Sequence, residues 1–96
     1  MGIDELLSQK RLDILHLAEK YGAHNVRVFG SVARGEADER SDIDFLVDME
    51  PGRSLFDMGG FLMDLRDLLG CEVDVVTMKG LKPGIRNRIL KDVVVL

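Results

Sequence analysis

Three aspartates and one Gly-Ser pair are the residues of this chain best suited to chemistry. Asp42 and Asp44 stand one residue apart at the start of a strand-like run, "DIDFLVD", residues 42–48. In an extended strand such a pair emerges on one face, about 6–7 Å apart. Two carboxylates held that way repel each other unless water or a cation lies between them. Mg²⁺ takes oxygen ligands, commonly one or two carboxylates with substrate phosphates completing the shell. Asp74 lies in a second such run, "EVDVV", with Val73 and Val75 on the opposite face. If the two runs are neighbouring strands, Asp74 joins the pair. Three carboxylates can hold two metal ions about 3.5–4 Å apart, an arrangement that activates an attacking oxygen and stabilises a leaving phosphate.

Gly30-Ser31 suits the phosphate half of such a site. Gly30 has no Cβ, so a phosphate can approach its backbone closely. Ser31 is placed to cap a short helix of Val32, Ala33 and Arg34, whose free N–H groups and positive dipole end would favour an anion. Ten residues separate Ser31 from Asp42. That is enough chain to turn back and bring both into one cleft.

The elements that must position these groups follow from periodicity. Residues 4–21 read as an amphipathic helix, with Leu7, Ile14, Ala18 and Tyr21 on one side and Gly22 as its stop. Asn25–Phe29 is a strand. The polar stretch 35–40 is a loop. Ile43–Met49 is a strand with Ile43, Phe45, Val47 and Met49 on one face and Asp42, Asp44, Leu46 and Asp48 on the other. Ser54 and Asp57 form a capping box for a helix striped by Met58, Leu62, Leu65 and Leu69. Gly59-Gly60 inside it permits close packing or marks a break. Glu72–Thr77 is a third strand, Pro83 opens a last helix through about Lys91, and residues 93–96 can add a short strand. The expected fold is α/β (α+β), one domain over residues 1–96. Four helices, the second very short, pack on one face of a small mixed sheet whose acidic face stays open.

The stretch "GSVARGEADERSDIDFLVD" resembles the nucleotidyltransferase signature of the DNA polymerase β superfamily: Gly-Ser, ten residues, then Asp-x-Asp. The short chain, with Asp74 in a later strand, is similar to the minimal nucleotidyltransferase antitoxins in particular. That resemblance implies a polymerase β palm-like fold and a Mg²⁺-dependent transfer of a nucleoside monophosphate, AMP from ATP, to a hydroxyl. It implies Asp42, Asp44 and Asp74 as catalytic metal ligands for two Mg²⁺ ions. It implies Gly30 and Ser31 as holders of the nucleotide's phosphates. The implied partner is a HEPN-domain toxin, modified on a tyrosine. An antitoxin acting by contact alone, or transfer to a small molecule, are the alternatives. The chain is too short for a separate acceptor-binding domain, so the acceptor site is shallow or completed by a partner.

Arg34, one turn past Ser31, fits nucleotide binding or plain solvation. Arg40 reads as surface. Arg86, Arg88 and Lys91 on the last helix read as a wet helix face, with reach to the nucleotide or a partner as the alternative, and Asp64 and Asp67 read as solvated. Asp48 belongs at the rim of the acidic face. His16 falls on a polar face and His24 in a loop, and neither has a metal-ligand pattern. Cys71 is a small core residue, and as the lone cysteine it allows no internal disulfide. With no signal peptide it suggests a reducing, cytoplasmic setting. The net charge of −4, from 17 acidic and 13 basic residues, argues against nucleic-acid binding by a general basic surface. No apolar run is long enough to span a membrane.

Overall fold

The computed structural model describes residues 2–36 and 42–96. The loop expected over residues 35–40 lies outside the described residues beyond Glu36, and Arg40 with it. Helix α1 (Ile3–Tyr21) buries Leu7, Ile14 and Ala18, and Gly22 ends it at φ 75°. Strand β1 (Ala23–Phe29) starts two residues earlier than expected, which places His24 in a strand and not a loop. The early start includes an irregularity between His24 and Arg27. There Asn25 takes φ 52°, and its amide donates to Asp48 Oδ2 at 2.9 Å. Asn tolerates that left-handed conformation better than most residues.

Strand β2 (Ile43–Met49) follows. The capping box forms at the start of helix α2 (Leu55–Leu69). The Phe56 N–H donates to Ser54 Oγ at 3.2 Å, and the Ser54 N–H to Asp57 Oδ2 at 3.0 Å. The glycine pair does not break α2. Gly60 lies under Tyr21, where a Cβ would come within 2.6 Å of the ring. Close packing of α1 on α2 is therefore its role. Tyr21 donates to Asp64 Oδ2 at 2.6 Å across the same contact, so Asp64 is more than a solvated charge. Strand β3 (Val73–Thr77), helix α3 (Pro83–Leu90) and a two-residue strand β4 (Val94–Val95) complete the described elements.

The four-stranded sheet runs β3-β2-β1-β4. β1 pairs antiparallel with β2 and β4, and β2 pairs parallel with β3. The mixed sheet is thus as expected, and β2 and β3 are neighbours. α1 and α2 cover one face around Ile14, Phe45, Phe61 and Leu65, all fully buried.

Two further expectations are corrected. The short helix after Ser31 does not form, so the described residues hold three helices and not four. Gly30 and Gly35 both take positive φ and bracket a single turn, which leaves too few residues to propagate a helix. The turn is closed by the Arg34 N–H on Gly30 O at 3.2 Å and the Glu36 N–H on Ser31 O at 2.9 Å, and it is pinned by buried Val32. The acidic face, moreover, is not open throughout. Leu46 shares it with Asp44 and Asp48 yet is fully buried, because β2 is a central strand and its register neighbours there are Arg27 and Val76.

Candidate active site

Register brings the sequence-distant groups together. Asp44 is the direct Cα partner of Asp74 across the parallel pair, so both carboxylates project from the same face of adjacent strands. Asp44 is also the partner of Phe29 across the antiparallel pair. Gly30, one residue on, therefore sits beside Asp44. A Cβ built on Gly30 would lie 2.6 Å from Asp44 Oδ2. Asp42, just before β2, is exposed on the approach to the pair.

The electrostatics match that crowding. Burial raises the Asp44 carboxyl above its ordinary value, and the charges of Asp74 and then Asp42 raise it further. The Arg34 guanidinium opposes the shift. Arg34 Nε donates to Glu36 Oε2 at 3.1 Å. Among the described residues no three acidic, histidine or cysteine side chains are gathered closely enough to form a metal cage by themselves. Two in-register carboxylates with a third on the approach still suit a cation whose remaining ligands are phosphate oxygens.

A cavity of about 360 Å³ opens beside this cluster, lined by Phe29, Gly30, Arg34, Ile85, Arg88, Ile89 and Asp92. Residues of α3 line its other side, opposite the Gly30 turn. Two of the expected wet arginines separate here. Arg88 lines the cavity, whereas Arg86 Nη2 donates to the carbonyls of Met78 and Leu81 at 3.1 and 3.3 Å. Asp48 lies at the far end of β2, engaged by Asn25 and by Arg27 Nη2 at 3.4 Å. Its role is to hold the β1 irregularity.

Residues 13–96 match the model of the nucleotidyltransferase domain family. The chain belongs to that family. It is 45% identical over 78 residues to the protein adenylyltransferase MntA of Thermococcus cleftensis, covering 81% of this chain and 79% of that one. A solved structure described as a "putative minimal nucleotidyltransferase" superposes with a TM-score of 0.89 at 45% identity, over 100% of this chain and 97% of the other. A second, from a toxin-antitoxin complex with AMP-PNP, shares the fold at a TM-score of 0.75 and 19% identity, over 88% of this chain and 69% of the other. This nucleotidyltransferase is thus a minimal one, an enzyme built on a single sheet and three helices among its described residues. None of those helices is long and apolar enough to cross a membrane.

Proposed function

We propose that this nucleotidyltransferase moves AMP from ATP to a hydroxyl of a protein partner, a tyrosine of a HEPN-domain toxin, in a Mg²⁺-dependent reaction. The observation that carries the reading is the in-register Asp44–Asp74 pair beside Gly30. The relative from Thermococcus cleftensis, named a protein adenylyltransferase, supports a protein acceptor. The fold-mate solved in a toxin-antitoxin complex with AMP-PNP supplies a precedent for nucleotide and toxin on this fold.

In this scheme Asp42 and Asp44 hold Mg²⁺, with Asp74 contributing to a second ion. When bound, the metal neutralises phosphate charge and eases departure of the leaving group. Gly30 lets the polyphosphate lie against the backbone, and Ser31 and Arg34 offer donors beside it. The Gly30–Gly35 segment is one turn, so the help comes from local N–H groups and not from a long helix dipole. Asp74, at the edge of the acidic cluster, takes the proton of the acceptor hydroxyl. The hydroxyl oxygen bonds to the α-phosphorus, the bond from that phosphorus to the β-bridging oxygen breaks, and pyrophosphate leaves with its electron pair.

Nucleotide binding should depend on metal, because like-charged carboxylates and phosphates otherwise repel. Calorimetric titration of ATP is expected to show binding with Mg²⁺ and a loss of at least about tenfold in affinity with excess chelator. Equal binding in both conditions would refute the metal bridge.

A further inference from the structure

Helix α3 and the Gly30 turn are far apart in the chain, yet they face each other across the cavity next to the acidic cluster. From the α3 side come Ile85, Arg88, Ile89 and Asp92. Ile85, Arg88 and Ile89 are spaced as one face of α3, and Asp92 lies in the turn just after the helix ends at Leu90. Arg86 lies off that face. Its two bonds to the carbonyls of Met78 and Leu81 tie α3 to the segment leaving β3 and fix which side of the helix looks at Gly30.

We infer that α3 is the second wall of the nucleotide cleft, and that Arg88 binds the donor's polyphosphate across from Arg34. The inference rests on the nucleotidyl-transfer reading and adds to it a binding residue. Arg34 and Arg88 are the cations among the residues lining this cavity, and Gly30 lines it with them. Guanidinium groups match phosphate oxygens in pairs, and the match is stronger where solvent is partly excluded. Phe29, Ile85 and Ile89 provide that exclusion. Asp92, in the turn that follows α3 and on the same wall, repels phosphate and favours placement toward Arg34.

The test is calorimetric titration of the full chain with ATP and, separately, with inorganic tripolyphosphate, both with Mg²⁺. Arg88 is exposed, so Arg88→Ala should melt with the wild type. It should weaken both ligands by about tenfold, the size of one lost charge-assisted contact. Arg88→Lys should recover part of that loss. Lys91→Ala, which removes the same charge three residues away and outside the cavity lining, should bind as the wild type does. Unchanged binding by Arg88→Ala would overturn the inference and leave the nucleotidyl-transfer reading standing. So would a loss for ATP without a loss for tripolyphosphate, or an equal loss in Lys91→Ala. A wild-type chain that binds neither ligand would overturn the nucleotidyl-transfer reading itself, and the inference with it.

Discussion

Replacing Asp42 and Asp44 together by asparagine should lower transfer by about three orders of magnitude or more and leave the fold intact. Several kcal/mol of transition-state charge stabilisation go with the metal, and each factor of ten corresponds to about 1.4 kcal/mol. Stability should hold or rise, because the substitution removes charge that the folded chain tolerates poorly. The Asp44 carboxyl is raised from 3.8 by burial and by its acidic neighbours. Below that ordinary value Asp44 is protonated both folded and unfolded, and its charge has no effect. Between it and the raised folded value the native state holds more protons, so stability falls as pH rises. Above the folded value the ionised group is a constant penalty. The melting temperature of Asp42→Asn/Asp44→Asn should therefore meet or exceed that of the wild type at neutral pH, and the gap should close in acid. Melting curves across pH, beside a transfer assay, check both parts. An unfolded double variant would show these aspartates to be structural.

Gly30→Ala should be nearly as damaging to activity. At φ 73° an alanine is strained by about 1–2 kcal/mol. Its Cβ would meet Asp44 Oδ2 at 2.6 Å. The carboxylate can swing away, but only by leaving its alignment with Asp74. A displacement of about 1 Å at reacting groups is worth about a hundredfold in rate. Gly35→Ala is the control. Gly35 has φ 72° and no described atom within 4 Å of its would-be Cβ. It should lose similar stability and keep its transfer rate. Equal rates for the two variants would contradict the contact between Gly30 and Asp44.

The parts of this site that could be read from the chain are those fixed by local spacing. Gly30, Ser31, Asp42 and Asp44 are joined by a ten-residue connection, and an antiparallel return of that length puts Phe29 opposite Asp44. Asp74 needed a further step, the neighbouring of β2 and β3, because parallel pairing is set by the crossover through α2 and not by any local signal. The helix expected after Ser31 failed on glycine. Ser31, Val32, Ala33 and Arg34 have adequate helical character, but Gly30 and Gly35 close the turn before a second one can start. Leu46 was assigned to an open face by alternation. Alternation gives the side of the sheet and not what covers it, and the neighbours of a central strand bury Leu46 on a face where Asp44 and Asp48 stay partly exposed. Arg88 stayed between nucleotide contact and solvent for a related reason. An arginine on a short amphipathic helix looks solvated until the helix is docked, and the docking of α3 depends on Arg86 reaching carbonyls five and eight residues earlier in the chain.

Nucleotidyl transfer by the Asp42–Asp44–Asp74 cleft is most directly tested by following two phosphates of the same donor. The chain is mixed with Mg²⁺, a HEPN-domain toxin as the partner, and ATP labelled either at the α- or at the γ-phosphate. The α-label is expected to pass to the partner, on a tyrosine, while the γ-label leaves entirely as pyrophosphate. Transfer of the γ-label to the partner, or no α-label on it while the two proteins still form a complex, would contradict nucleotidyl transfer to that partner.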